Sequence, residues 1–410
     1  MVKNRYDKPE LLAPAGDLER LKIAFLYGAD AVYCGVPEYG MRVKEIEFDL
    51  ESLEEGVRFA HELGKRVYIT VNIFAHNENF NNLPDFLHKL EKIGVDGLIV
   101  ADPGILQVVW EEKIKIPIHL STQANVTNWK SVEFWMKNNI NRVVLARELS
   151  HLEISEIKKR LPKANLEIFV HGALCMSVSG RCHISNYFNK RDANRGNCSH
   201  CCRWEYNVYV EEKTRPGEMM LVEEDERGSY FFNSKDLCLI DCMDEVLKTG
   251  AMSLKIEGRN KTEFYVATVV RAYRQALDMI FDDLKSYKKN KKKFVGDLMS
   301  INTRGFTHGF FMENQADISN YNERSGGGDR QYVGKVIGRV GELTKILAKN
   351  QMKLTDEFEL FSPSTTHKLK IKEFLNDQEE KIGEVVNTND IFFIKNDFPL
   401  PDSTMIRKVL

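Results

Sequence analysis

Proline and glycine are scarce, 11 and 26 in 410 residues; with 43% hydrophobic and 29% charged residues this is the profile of an ordered globular chain and leaves little room for extended disorder. Met1 to Lys8 holds no apolar segment, and no stretch approaches the roughly 20 uninterrupted apolar residues of a membrane span, so a cytoplasmic protein without membrane association is expected. A surplus of either charge is missing too. The 58 Lys and Arg against 60 Asp and Glu give a net charge of −2, which provides no global basic field for indiscriminate nucleic-acid binding. Any nucleic-acid site must then be a local patch. The one clear basic run, Lys288 to Lys293 interrupted by Asn290, reads as a solvated helix end or loop. Neither a Gly-x-Ser-x-Gly elbow nor a His-Glu-x-x-His helix occurs, so familiar hydrolase machinery is not recognisable. A Cys175–His171 pair remains the conceivable nucleophile and base.

What is present is alternation. Short Val- and Ile-rich runs take turns with amphipathic stretches of about a dozen residues, the pattern of a parallel sheet with crossover helices. Expected strands are Glu10–Ala15, Ala31–Gly35, Arg66–Phe74, Gly97–Ala101, Ile116–Ser121, Arg142–Ala146, Leu166–Val170 and Ser253–Ile256. Caps at Asp17 and at Asp49 or Ser52 open helices, and Thr262 to Ile280 supplies a closing one. Eight such units fit a (β/α)8 TIM-type barrel better than an open doubly wound sheet. A long segment, about 171–250, interrupts the seventh unit, holds most of the eight cysteines and follows a strand end, where this fold keeps its active face. From about Tyr332 the texture turns to short alternating strands, which predicts a small all-β domain at 326–410 after a barrel domain at 1–325. The Gly326 to Gly328 run reads as a hinge between them.

The chemistry concentrates in the thiols. In a leaderless chain, clustered cysteines read as metal ligands or catalytic groups rather than disulfides. Only Cys198 and Cys201 have the Cys-x-x-Cys spacing of a zinc knuckle, whereas Cys175 and Cys182 lie seven apart, so an iron–sulfur cluster is preferred and zinc is the runner-up. Arg181, Lys190, Arg191, Arg195 and Arg203 would offset thiolate charge and receive an anionic substrate. Cys34 and Cys242 read as buried small hydrophobes. Polar residues at expected strand ends, namely Asn72, Asp102, Gln123, Asn125, Arg147, His171, Lys255, Glu257 and Arg259, would line the substrate funnel. The last three alternate as they leave a strand and so share one face.

Three segments carry a resemblance: Pro9-Glu-Leu-Leu-Ala-Pro-Ala-Gly-Asp17, His171-Gly-Ala-Leu-Cys-Met-Ser-Val-Ser-Gly-Arg-Cys182 and Ser253-Leu-Lys-Ile-Glu-Gly-Arg259. They closely resemble peptidase family U-32, often labelled collagenase-like proteases, over about Pro9 to Phe311. The run from Asn189 to Cys198, with Cys202-Arg-Trp-Glu-Tyr206, is most similar to that family's tRNA hydroxylation branch. The resemblance implies oxygen-independent hydroxylation of a tRNA wobble uridine to 5-hydroxyuridine, with prephenate as co-substrate and a bound 4Fe-4S cluster. Sister branches act on ribosomal RNA or ubiquinone precursors. The implied cluster ligands are Cys175, Cys182, Cys198 and Cys238, with Cys202 as an alternative fourth. His171, Lys255, Glu257 and Arg259 are the expected catalytic residues; Asn72, Gln123, Asn125, Arg181, Arg191 and Arg195 are expected to bind substrate. Expected partners are tRNA and a small-molecule hydroxyl donor. A peptidase, or a scaffold presenting a structural metal, is the alternative.

Overall fold

Nearly continuous apolar runs suit strands covered on both faces, and Glu10–Pro14 and Ala31–Gly35 are buried throughout. The computed structural model describes residues 7–40, 48–174, 185, 189–191, 198–201, 204, 209–211, 216–217, 219–221, 235–303, 305–312, 328–396, 400 and 403–410. Cys175, Arg181, Cys182, Arg195 and Cys202 lie outside these described residues.

The barrel strands are β1 (Glu10–Pro14), β2 (Ala31–Gly35), β3 (Arg66–Val71), β4 (Gly97–Val100), β5 (Ile118–Leu120), β6 (Arg142–Val144) and β7 (Leu166–Ala173). The insertion contributes β8 (Tyr209–Glu211), β9 (Met219–Leu221) and β10 (Asp236–Cys238), after which β11 (Ser253–Ile256) is the eighth barrel strand. The strands β1 to β7 pair in parallel in sequence order, and β11 closes the ring in parallel against both β7 and β1. The (β/α)8 architecture is therefore as the alternation predicts.

Helices α1 (Leu18–Leu26), α2 (Leu50–Glu62), α3 (Leu83–Ile93), α4 (Pro103–Glu111), α5 (Trp129–Lys137) and α6 (His151–Arg160) separate the strands. The seventh unit's helix, α7 (Met243–Lys248), comes after the insertion. Asp17 accepts the Arg20 N–H, and Asp49 and Ser52 form a reciprocal capping box, so both expected helix starts are fixed by side-chain oxygens that satisfy orphan amides. The closing helix is α8 (Glu263–Asp282), and the lysine run lies in the middle of a further helix, α9 (Leu284–Met299), rather than at a helix end or loop. No described helix is long and apolar enough to cross a membrane.

The strand β12 (Phe306–Thr307) extends the barrel sheet beside β10. The C-terminal part is a separate antiparallel sheet around a long first strand, β13 (Arg330–Val340), which pairs with Leu343–Ala348 on one side and Met405–Val409 on the other. The alternating stretch Lys353–Leu360 is broken by a turn in which Asp356 accepts the Lys353 N–H at 2.9 Å, so only Phe358–Phe361 joins the sheet. A separate apolar core, including Val333, Val336, Phe358, Phe374 and Phe392, fills this domain.

The junction is packed. Gly328, the described member of the glycine run, sits so close to the chain at Ser300 that an added Cβ would stand 2.1 Å from that carbonyl oxygen, which is a reason for glycine other than hinging. Arg271 of α8 donates to the carbonyls of Ser362 at 2.9 Å and Thr365 at 3.2 Å, with its guanidinium 3.8 Å from the Phe361 ring centre. Tyr27 donates to the Phe361 carbonyl at 2.8 Å, and Glu263 accepts from Tyr332 at 2.7 Å.

Candidate active site at the barrel mouth

Residues of alternate parity point into the barrel, and the sequence fills the lower interior with charge. Arg142 Nη1 meets Glu10 Oε1 at 2.6 Å and Glu167 Oε2 at 3.2 Å; Lys255 Nζ meets Glu167 Oε1 at 2.9 Å. Tyr68 and Ser253 also donate to Glu10, at 2.8 and 3.2 Å. Glu167 has no solvent exposure, and although burial alone would push its carboxyl up, the Lys255 and Arg142 charges hold it down to about 2. Two carboxylates against two buried cations make this layer nearly neutral, which is what permits charges in a dry interior.

His119 packs edge-on against Tyr68 in the same layer, with ring centres 4.5 Å apart, and its Nδ1 has no partner among the described residues. Burial, together with the Arg142 charge, holds it down to about 3. A folded value below the unfolded value of about 6.5 means that the unfolded chain takes the proton first as pH falls. The stability from keeping His119 neutral is full above about pH 6.5 and is lost on the way to about 3, at up to about 1.4 kcal/mol per pH unit. His171, held down to about 4 by burial, acts in the same direction. Thermal unfolding at pH 7 and pH 5 is expected to show the drop, and His119→Gln to remove about half of it.

Above the ionic layer lies the mouth. Tyr33 donates to Glu257 Oε2 at 3.1 Å, and Arg147 Nη2 approaches the same oxygen at 3.8 Å. Arg259 donates to Thr70 Oγ1 at 2.9 Å. The Lys255 ammonium is 4.3 Å from the Tyr33 ring centre, and the Arg147 guanidinium is 3.7 Å from that of Phe169. Arg147 and Arg259 around Glu257 leave the mouth with an excess of cationic groups over stacked aromatic faces, a setting for an anionic or planar ligand. Beside them Asn72 donates to Gln123 Oε1 at 2.6 Å while Gln123 returns a bond to the Asn72 carbonyl at 3.0 Å.

Not every expected residue reaches this mouth. Asp102 caps α4, accepting the Gly104 N–H at 2.7 Å, and Asn125 is an exposed left-handed residue after a short helical turn. Lys255 sits below Glu257 and Arg259, tied to Glu167. His171 is displaced outward. Simple alternation with Glu167 and Phe169 places it inside the barrel, but Lys255 pairs with Phe169 and Ile256 with His171, so one extra β7 residue, Val170, is accommodated. The bulge turns His171 toward Tyr273, with ring centres 5.5 Å apart, and toward Phe306 at 5.6 Å. Gly172 is required at this point: its φ is +107°, and an added Cβ would stand 2.4 Å from the Glu257 carbonyl oxygen.

That outer face is where a described cysteine of the implied ligand set lies. The antiparallel pairing of β10 on β7 sets Cys238 opposite His171. Cys238 is 3% exposed, burial pushes its thiol up to about 12, and the Tyr273 hydroxyl, which donates to the Val170 carbonyl at 2.7 Å, stands 3.9 Å from its sulfur. Cys198 is half-buried; its sulfur accepts the His200 N–H at 3.4 Å, and Arg191 donates to its carbonyl at 3.3 Å. The Cys198 sulfur thus receives an N–H bond, as thiolates in iron–sulfur sites do, and the soft sulfur donors of Cys198 and Cys238 are of the type a cluster takes. Cys201 is buried, and Cys34 is wholly enclosed.

Sequence reasoning missed one constellation. Donor atoms of Asp241, Cys242 and His308 all lie within 4.8 Å of one another, with His308 Nε2 bonded to Asp241 at 2.9 Å. That hydrogen bond raises His308 above its usual value, while burial pushes the Cys242 thiol up. Asp241 and His308 are separated by 67 residues and come together only because β10 and β12 pair.

An eight-stranded (β/α)8 barrel with polar strand ends at one mouth, a cysteine-bearing insertion after the seventh strand and an appended antiparallel sheet defines the class. Residues 16–321 match peptidase family U32 and residues 329–407 match the peptidase family U32 C-terminal domain. The chain belongs to peptidase family U32. It is 41% identical to tRNA hydroxylation protein P of Escherichia coli over 87% of this chain and 86% of that one. It is 38% identical to tRNA hydroxylation protein P1 of Bacillus subtilis over 98% of this chain and 95% of that one. The 23S rRNA 5-hydroxycytidine C2501 synthase of Escherichia coli is 32% identical over 82% of this chain and 49% of its own length.

Proposed function

We propose that this chain is a cytoplasmic RNA hydroxylase that forms 5-hydroxyuridine at the tRNA wobble position without molecular oxygen, using a 4Fe-4S cluster and requiring prephenate. The observation that carries the reading is the similarity, over 87% and 98% of the chain, to relatives named for tRNA hydroxylation. The rRNA relative is named for 5-hydroxycytidine, a pyrimidine hydroxylated at C5, which supports the same position on the tRNA base.

Cys175, Cys182, Cys198 and Cys238 would hold the cluster, with Cys202 as the alternative fourth ligand. The N–H bond that the Cys198 sulfur accepts, and the placing of Cys238 on the strand beside His171, support this set. When bound, the cluster supplies one-electron chemistry. Arg147 and Arg259 would orient the carboxylates of the co-substrate, the Phe169 and Tyr33 rings beneath those guanidinium groups would exclude water, and the paired Asn72 and Gln123 amides offer hydrogen bonds to a base edge. In a peptidase reading the nucleophile would come from Cys242 beside His308 and Asp241. Burial raises that thiol, whereas a nucleophilic thiolate needs it lowered.

Nucleoside mass spectrometry of tRNA, from cells lacking this chain and from the same cells supplied with it, tests the function. Restoration of 5-hydroxyuridine by the intact chain is the expected result. Unchanged tRNA, together with collagen cleavage by aerobic metal-free protein, would overturn it.

A further inference from the structure

The six lysines of α9 stand against a single acid, Asp297, in a chain whose net charge is −2. At helical spacing they also repel one another, since Lys285 and Lys289, Lys288 and Lys292, and Lys289 and Lys293 are four apart, each a destabilising like-charge pair. Lys285 adds a positive charge in the first turn, against the helix dipole. Two of the six are engaged: Lys288 faces Asp244 at 3.6 Å, and Lys291 donates to the Asp241 carbonyl at 2.8 Å. Lys285, Lys289, Lys292 and Lys293 are exposed; Lys285 feels the N-cap Asp283 carboxylate, but among the described residues none of the four forms an ion pair within 4 Å. Those four fall within roughly 100° of arc on one face, over about 12 Å of helix axis. The opposite face is anchored by Tyr287, Phe294 and Leu298, all buried. Tyr287 also donates to the Ile240 carbonyl at 2.8 Å and accepts the Met243 N–H at 2.9 Å, which fixes the helix to the segment that follows Cys238.

We propose that Lys285, Lys289, Lys292 and Lys293 form a docking ridge for the phosphate backbone of the tRNA substrate, held rigidly beside the strand that carries Cys238. The proposal rests on the RNA hydroxylase reading. Charge complementarity names the occupant: a polyanion with regularly repeated charges matches a stripe of unpaired, flexible ammonium groups, which contact phosphates without reading sequence.

The test uses anaerobically purified holoenzyme and an unmodified tRNA transcript with uridine at the wobble position, comparing wild type with the fourfold variant Lys285→Gln, Lys289→Gln, Lys292→Gln and Lys293→Gln. Binding at 100 mM salt is expected to weaken by roughly ten- to a hundredfold, and the slope of log affinity against log salt to fall by about 3. The turnover rate at saturating tRNA should stay unchanged while KM rises. The corresponding fourfold Arg variant should restore both slope and affinity. Equal affinity and an equal slope for the Gln variant and wild type overturn the ridge alone. A wild type that binds no tRNA overturns the ridge together with the function on which it rests. A Gln variant that binds tRNA normally but no longer sediments with phosphatidylserine vesicles overturns the ridge in favour of a membrane surface.

Discussion

Glu167→Ala is expected to lower folding stability by about 3–5 kcal/mol, a large part of the roughly 5–15 kcal/mol available to a typical domain. The carboxylate has no exposure and is shared between Arg142 at 3.2 Å and Lys255 at 2.9 Å, so its removal leaves two cations facing only Glu10 in a dry interior. A urea titration of the metal-loaded protein would show the loss as a lower midpoint with an unchanged slope. The double variant Glu167→Leu, Lys255→Met removes one charge of each sign and is expected to recover most of the loss, because the Arg142–Glu10 pair at 2.6 Å remains. A midpoint unaltered by Glu167→Ala would mean that the ionic layer does not stabilise the barrel. The sign with pH follows from the carboxyl held down to about 2: this contribution is full above the unfolded value near 4.5 and is lost as pH falls from there toward about 2.

Cys238→Ala is expected to abolish 5-hydroxyuridine formation and to lower bound iron, with a fold intact by circular dichroism. The side chain is small and enclosed, so truncation to Ala removes little more than the sulfur and its contact with Tyr273 at 3.9 Å. Loss of iron with the barrel still folded therefore assigns the effect to ligation rather than packing. Cys202→Ala is the discriminating companion: full iron content in that variant supports Cys238 as the fourth ligand, and the reverse pattern gives the place to Cys202. Ligation through Cys238, as proposed, would displace a proton from a thiol that burial holds up to about 12, so cluster loss on acidification is expected to follow thiolate protonation.

The barrel was legible because its signal is local and repeated: each apolar run and each cap is written in a handful of adjacent residues, and eight units leave few alternatives. The polar mouth was legible for Asn72, Gln123, Glu257 and Arg259, which do converge at or near the strand ends. What a linear reading could not supply was parity. The single extra residue at Val170 moves His171 from the expected funnel to the outer wall, and no propensity marks such a bulge, although Gly172 at a positive φ is a trace of it. Contacts across long separations were equally hidden, as with Asp241 and His308, or with Glu10 and Arg142, 132 residues apart. The basic run was visible, but a row of lysines does not reveal which of them a neighbouring strand will engage. Only the packing of α9 on the Ile240–Asp244 segment separates Lys288 and Lys291 from the four that form no ion pair among the described residues.

Anaerobic purification with iron and acid-labile sulfide analysis tests most directly the proposed iron–sulfur cluster on the insertion of this barrel. About four iron and four sulfide per chain, with a broad visible absorption that is lost in Cys175→Ala, is the predicted result. Stoichiometric zinc without sulfide, or no metal at all, would contradict it.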